Sequence, residues 1–258
     1  MTYCVGLTVR EGLVMIADTR TNAGIDNIAT FRKLHVLEEP GERIMVLCTS
    51  GNLSVSQAVL NHVQEGIENT DTQVVETLRT APSMFKAAQL IGRAIRLVYE
   101  TDGKSLEEHS GRFDVAILFG GQIKGGKMRL FMIYSAGNFI EVTVDTPYLQ
   151  IGEHKYGKPI LDRAVNFNTD IQDALKIGLI SMDSTMRSNL GVGMPIDIVV
   201  ARRDAFRAEI KHRIEPGEPY FHDLRERWSA ALRAAHIAIP RPPYAVADKN
   251  RPGEGVDI

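Results

Sequence analysis

Short polar breaks divide the apolar runs in the first part of the chain, which is the pattern of β-hairpins. Apolar runs at 3–9 and 12–19 are joined by "REG", and this predicts a tight hairpin. A second pair of runs, at 33–39 and 43–50, is joined across "PGE". The chain is therefore expected to begin with two consecutive hairpins.

After "SGN" at 50–52 the spacing of apolar residues changes to the period of a helix. Helices are predicted at 52–69, 82–100, about 155–167, 169–189 and about 218–236. Further apolar runs predict strands in "FDVAILFGG", "MRLFMIYSA", "FIEVTV", "YLQIG", "PIDIVVARR" and "FRAEIKHRI".

The order of these elements indicates an α+β fold. Helices come in pairs between groups of strands and do not alternate with them, which argues against a doubly wound parallel sheet. The layer rule then favours two packed sheets with helices on both outer faces. Residues 1–215 are expected to form one domain. A C-terminal helix and an extended tail rich in Pro and Gly, 216–258, would belong to that domain or serve as an arm between subunits.

Composition excludes several classes of function. The 258 residues carry 30 basic and 32 acidic side chains, which gives a net charge of −2. The chain therefore lacks the excess of positive charge that is typical of proteins binding nucleic acid or a membrane surface. No apolar run approaches the ~20 residues of a membrane span, and the first residues do not have the pattern of a signal peptide. Cys4 and Cys48 lie in apolar segments without metal-ligand spacing, which is typical of reduced core residues in a cytoplasmic protein.

Other familiar motifs are incomplete or missing. "GGQIKGGK" at 120–127 nearly matches a nucleotide-binding loop, but Met128 stands where Ser or Thr is required and a strand follows in place of a helix. A Gly-rich hairpin is the better interpretation. The seven histidines have no paired-ligand spacing, and G-x-S-x-G is absent. No cofactor or metal is predicted.

The N-terminus combines groups that suit nucleophilic catalysis. If Met1 is removed, Thr2 carries both a hydroxyl and an α-amine, and such an amine titrates near ~7.7–8.0, so it can serve as the base for its own hydroxyl. Asp18 ends the second strand and Lys33 begins the third, so both can reach the sheet edge at Thr2. The backbone N–H of Gly51, between a strand and a helix, is placed to receive an oxyanion.

These residues, with Gly6, Gly12, "ADTR" at 17–20 and "SGN", resemble the N-terminal half of a proteasome β-type subunit. The sequence stretches "MTYCVGL", "IADTRTNAG" and "FRKLHV" are similar to those of a bacterial branch of the superfamily, the Anbu ("ancestral beta subunit") peptidases. The resemblance implies an N-terminal-nucleophile hydrolase with a four-layer αββα sandwich and a large homo-oligomer.

The resemblance also implies roles for individual residues. Thr2 would be the nucleophile and its α-amine the base, Asp18 and Lys33 the charge pair, and Gly51 the oxyanion donor. The pocket for the residue before the cleaved bond would be formed by Thr21, Thr49 and Leu53.

Two departures from the family pattern bear on the base. Proteasome β-subunits carry a Gly-Ser-Gly element whose Ser hydrogen-bonds the catalytic amine, and here "IGEHKYG" places Glu153 in that position. A carboxylate beside the amine would stabilise its protonated form and raise the pKa of the amine. The later Arg-Asp-x-x-Ser-Gly element is replaced by "MRSNLGVG", with Ser188 or Asn189 near the Asp position.

The sequence leaves three functions open. The first is a cytoplasmic, self-assembling threonine hydrolase, forming rings or spirals, that cleaves peptide or other small amide substrates without a cofactor. The second is a catalytically inert oligomeric scaffold on the same fold, and the third is a non-peptide amidase. Helices 52–69 and 82–100 carry apolar residues on more than one face, which fits either subunit contacts or deep burial within one subunit.

Overall fold

The fold of the computed structural model is built on two five-stranded antiparallel sheets, and the structure describes residues 1–22, 28–70, 72–109 and 113–244. The first sheet has the strand order β12-β1-β2-β13-β14 and the second β11-β10-β9-β6-β5. Two short two-stranded ribbons, β3-β4 and β7-β8, lie outside them. The strands are β1 (Tyr3–Val9), β2 (Gly12–Asp18), β3 (Arg20–Asn22), β4 (Ile28–Thr30), β5 (Leu34–Glu39), β6 (Arg43–Gly51), β7 (Ile67–Asn69), β8 (Val74–Glu76), β9 (Val115–Ile123), β10 (Arg129–Ile133), β11 (Phe139–Glu141), β12 (Tyr148–Gly152), β13 (Ile196–Arg202) and β14 (Ile210–Ile214).

Helices cover the outer face of each sheet. They are α1 (Leu53–Glu65), α2 (Met84–Val98), α3 (Lys104–His109), α4 (Lys158–Ala164), α5 (Ile171–Ser188) and α6 (Pro219–Ala238), with a π-helical turn at Tyr99–Gly103 between α2 and α3. The α1 and α2 helices pack on β6, β9 and β10, and α4, α5 and α6 pack on the other sheet. A third apolar layer lies between the sheets. The four-layer αββα sandwich is therefore confirmed.

The strands β1 and β2 are buried along their whole length. One face of this hairpin contacts the other sheet and the other face contacts α5, so both faces exclude water. This explains why these strands are continuous apolar runs without polar alternation. The register pairs Cys4 with Ala17 and Ile196 with Asp18, which fixes Asp18 at the edge where the chain begins.

Several predicted elements differ in extent from the observed ones. The helix expected at 52–69 ends at Glu65, because Gly66 caps it and the next residues form β7. The helix expected at about 155–167 is shorter in the structure, where α4 spans Lys158–Ala164. The short ribbons β3-β4 and β7-β8 were not predicted, since three-residue strands carry too few side chains to show a period.

The interpretation of "GGQIKGGK" as a hairpin is confirmed, because β9 and β10 pair antiparallel on either side of it. Both cysteines are free and buried in the layer between the sheets. In the part of the chain that the structure describes, no helix is long and apolar enough to cross a membrane.

The apolar faces of the first two predicted helices, 52–69 and 82–100, are explained within one chain. Val59, Val63, Ile91 and Ile95 are fully buried against β6, β9 and β10. Deep burial, the second of the two interpretations, is therefore correct for these residues, and they give no support for subunit contacts.

The C-terminal helix α6 is anchored at its first turns only. Phe221 and Leu224 are buried in the same apolar cluster as α5, so this end of α6 belongs to the core of the sandwich. From 230 to 244 the chain is exposed. The predicted tail continues to 258, and its last part, 245–258, lies outside the described residues. The boundary at 215 stays a prediction.

Candidate active site

Asp18 and Lys33 form a buried ion pair where β2 ends and β5 begins. Their side chains are 0% and 6% exposed, and Lys33 Nζ donates to Asp18 Oδ1 at 2.7 Å. Lys33 also donates to the backbone carbonyl of Arg20 at 2.6 Å. The pair is thus held in one position by the ends of three strands, as the sequence predicts for two groups that converge on this edge.

The Asp18 carboxylate receives further hydrogen bonds from the backbone. The N–H of Tyr3 donates to Oδ1 at 3.0 Å and that of Gly193 to Oδ2 at 3.3 Å. Burial raises the pKa of Asp18 above its usual value, while the charge of Lys33 and these hydrogen bonds act to lower it. The three donors are what a carboxylate without water requires.

Thr2 is held against the turn that follows β12. Its carbonyl accepts a hydrogen bond from the N–H of Glu153 at 2.7 Å. Gly152 has φ +79°, and a Cβ there would lie 2.0 Å from the Thr2 carbonyl oxygen, so only glycine permits this approach. Next to Thr2, the buried Tyr3 phenol accepts a hydrogen bond from Gln150 at 2.6 Å. The start of β1 is therefore fixed on both sides of the chain.

Lys33 points toward the first peptide bond of the chain. Its Nζ lies 3.4 Å from the carbonyl oxygen of Met1, which is its third acceptor after Asp18 and Arg20. Removal of Met1 takes this acceptor away and leaves one N–H of Lys33 directed at the Thr2 end of β1. An ammonium in that place can stabilise an alkoxide on the threonine.

Two cavities adjoin Thr2. The first, which we call the acyl cavity, has a volume of about 530 Å³, and the second, which we call the acidic cavity, about 480 Å³. Met1, Thr2, Ser50 and Gly51 line both of them.

The residues predicted for the specificity pocket come together in the acyl cavity. Thr21, Thr49 and Leu53 all line it, with Phe31 and Lys33. Its lining combines apolar side chains with hydroxyl-bearing ones, which fits a side chain of modest size and mixed polarity. This agrees in position with the sequence prediction, and the role of these residues stays a prediction.

Gly51 lies where β6 passes into α1. Its φ is +97°, and a Cβ there would come within 2.3 Å of the carbonyl oxygen of Asp114, just before the neighbouring strand β9. Asn52 then caps α1, with its side chain accepting from the N–H of Ser54. A glycine at the start of a helix and beside the nucleophile can offer a backbone N–H to an anion.

Glu153 is placed beside Thr2, and Asn189 contacts it. The Glu153 side chain is 11% exposed, and its Oε2 accepts from Asn189 Nδ2 at 3.0 Å, while Lys155 Nζ lies 3.4 Å from Oε1. Asn189 Oδ1 in turn accepts from the N–H of Gly191 at 2.9 Å. The amide nitrogen of Asn189 is therefore the end that faces Glu153.

Ser188 is not brought to this group. It is the last residue of α5 and is exposed, and the next residue turns back toward Thr2. Of the two residues that the sequence offered for this position, Asn189 is the one that reaches the site. A shift of one residue at the end of a helix changes the direction of the side chain by about 100°, which the sequence pattern cannot resolve.

Three groups at the site were not predicted as part of it. They are the N–H of Gly193, the carbonyl of Arg20 and the side chain of Asp114, which lines the acidic cavity. Backbone groups carry no residue-type signal, whereas the acidic residue just before the β9 run was visible in the sequence. Among the described residues, no cluster of His, Cys, Asp or Glu could hold a metal ion.

The sandwich, with Thr2 directly before its first strand, defines a class of protein, the proteasome-type subunits. The family model described as "Proteasome subunit" matches residues 2–201. No curated protein is similar enough to this chain to count as a match.

Solved structures similar to this chain carry the name Anbu. Anbu from Hyphomicrobium sp. strain MC1 is 48% identical over 93% of this chain and 98% of its own, with a TM-score of 0.84. Anbu (ancestral beta-subunit) from Yersinia bercovieri is 43% identical over 94% and 100%, with a TM-score of 0.85. The helical assembly of the Anbu complex from Pseudomonas aeruginosa is 44% identical over 94% and 98%, also with a TM-score of 0.85. The chain therefore belongs to the proteasome subunit family, in its Anbu branch.

Proposed function

We propose that this protein is an N-terminal threonine hydrolase that cleaves peptide or other amide bonds. The observation that carries the proposal is the Lys33–Asp18 pair, buried and directed at the first peptide bond of the chain. A solvated pair would satisfy Lys33 with water, and a structural pair would not need an ammonium facing the Thr2 end of a strand.

The proposed reaction begins after Met1 is removed. Thr2 Oγ1 attacks the carbonyl carbon of the substrate and its proton passes to the α-amine of the same residue. Lys33 stabilises the developing alkoxide, and the Gly51 N–H donates to the oxyanion. The C–N bond then breaks as the amine returns the proton to the leaving nitrogen. Water hydrolyses the remaining ester and restores Thr2.

We infer that the active form is a homo-oligomer in the cytoplasm. The helical assembly reported for the Pseudomonas aeruginosa relative, together with 44% identity over nearly the full chain, supports self-association. Two unpaired buried cysteines fit a reducing compartment.

Intact mass spectrometry with an electrophile that reacts with N-terminal threonine tests the proposal. We expect protein purified from cells to lack Met1 and to gain one equivalent of the reagent, and the Thr2→Ala variant to gain none. Full retention of Met1, or equal labelling of the variant, would rule the mechanism out.

A catalytically inert scaffold is the second candidate, and Glu153 favours it. Its carboxylate, next to Thr2, would hold the α-amine in the protonated form, which cannot accept the hydroxyl proton. On this hypothesis the protein loses Met1 and assembles normally but is not labelled at any pH between 6 and 9. Labelling that increases with pH over this range would instead show that the amine works as a base once it is deprotonated.

A further inference from the structure

The acidic cavity adjoins Thr2 next to the acyl cavity and has a different chemistry. Besides the four residues shared with the acyl cavity, its lining consists of Asp114, Ala116, Gly152 and Glu153. Among the described residues its lining therefore includes two acidic residues and no Lys or Arg.

The position of the cavity gives it a part in the proposed reaction. Attack by Thr2 divides an amide substrate into an acyl portion, which stays on the threonine, and an amine portion, which leaves. If the acyl portion occupies the cavity lined by Thr21, Thr49 and Leu53, the acidic cavity is a second space that Thr2 and Gly51 also line, and the amine portion can extend into it.

The carboxylates of this cavity are available to a ligand. The side chain of Asp114 is exposed and accepts no hydrogen bond from a described residue, since only its backbone carbonyl is used, by Asn52. Glu153 is contacted by Asn189 and by Lys155, whose side chain is 64% exposed and can move into solvent. A cation that enters from the substrate can therefore replace Lys155 without leaving a buried charge unpaired.

A third cavity continues the path away from Thr2. It has a volume of about 430 Å³ and shares Ala116 and Gly152 with the acidic cavity. Met132, Tyr134 and Tyr148 contribute to its wall, which is mostly apolar. A leaving group longer than a single residue would thus pass from a negatively charged compartment to an apolar one, which suits an extended peptide better than a small amide.

We propose that the acidic cavity selects peptides with Lys or Arg directly after the cleaved bond. This inference rests on the proposed threonine hydrolase activity and names its substrate class. One unit charge a few ångströms from a partly screened carboxylate is enough for about a tenfold preference.

The experiment uses two sets of internally quenched peptides with mixed residues before the cleaved bond. One set has Lys and the other Glu at the residue that follows it. We expect kcat/KM to be about tenfold higher for the Lys set. Asp114→Asn should reduce this preference, and Asp114→Lys should abolish or reverse it.

Glu226→Lys is the matched control for the charge reversal. Glu226 is exposed on α6 and lines none of the three cavities, so the same change in net charge there should leave the preference unchanged. A parallel loss of preference in both variants would show an effect of net charge and overturn the inference.

Labelling of Thr2 separates this inference from the proposed function. If the wild-type protein is not labelled and cleaves neither peptide set, the proposed function fails and the inference fails with it. If Thr2 is labelled and the enzyme cleaves both sets equally, prefers Glu, or cleaves neither, only the inference is overturned. Glu226→Lys should be labelled at the rate of the wild-type protein, because Glu226 lines none of the cavities beside Thr2.

Discussion

Replacement of Lys33 by Met is the most direct perturbation of the buried charge pair. Met preserves much of the aliphatic length of Lys and removes the ammonium. The Asp18 carboxylate, with a side chain that is 0% exposed, then keeps only the N–H groups of Tyr3 and Gly193 as donors.

The size of the effect follows from this burial. Removal of one member of a buried ion pair typically costs about 3–5 kcal/mol of the free energy of unfolding. In a chain of this size that corresponds to a decrease in Tm of roughly 6–20 °C. Labelling of Thr2 should also be lost, because the alkoxide loses its cation.

An exposed pair with the same geometry provides the control. Lys124 Nζ lies 2.7 Å from Glu42 Oε1, the same distance as in the buried pair, but these side chains are 61% and 58% exposed. Lys124→Met should therefore cost less than about 1 kcal/mol.

Denaturant unfolding at a fixed protomer concentration measures both variants, since the concentration affects the apparent stability of an oligomer. Equal losses in Lys33→Met and Lys124→Met would refute the reasoning from burial. Neutralising the partner as well, in Lys33→Met with Asp18→Asn, should recover part of the lost stability, and a further decrease would also contradict it.

Two further predictions concern the turn beside Thr2 and the half-buried His35. Gly152→Ala should slow the labelling of Thr2 by roughly 10- to 100-fold, because the new Cβ would displace the Thr2 carbonyl. Gly125→Ala is the control, since Gly125 has the same φ of +79° but open space around it, and it should not slow labelling. Equal labelling rates in the two variants would contradict this. Burial, assisted by the charge of Arg32, lowers the pKa of His35 below 6.5, so stability should decrease as the pH falls below that value, when the unfolded chain takes up the proton first. Thermal unfolding at pH 7.5 and 5.5 should show a smaller loss in His35→Gln, and an unchanged loss would exclude His35 as the cause.

Much of the candidate site could be predicted because its residues lie at the ends of strongly patterned elements. Thr2, Asp18 and Lys33 each stand at the boundary of an apolar run, and Gly51 stands between a strand and a helix. Once the strands of the hairpins are paired in register, the positions of their ends are largely determined. The order of apolar runs and polar breaks along the chain was therefore enough to predict which residues these are and that they meet at one sheet edge.

The other side of the site required tertiary structure. The turn after β12 and the end of α5 reach Thr2 from residues 150 and more positions away in the chain, and no local pattern sets their register. Ser188 and Asn189 were equivalent in the sequence, and only the packing of α5 decided that Asn189 faces Glu153. The cavities beside Thr2 are likewise lined by residues from several strands and loops. The charge of a cavity could therefore not be predicted before the relative positions of those elements were known.

The sequence by itself determined the class of fold, the hairpin that carries Thr2 and the residue types available for catalysis. These follow from local periodicity, which depends only on whether each position is buried or exposed. The tertiary structure decided which acidic groups share a cavity with Thr2 and which helix faces are buried within the subunit. Such contacts depend on the relative position of distant elements, and many sequences with the same local pattern could place them differently.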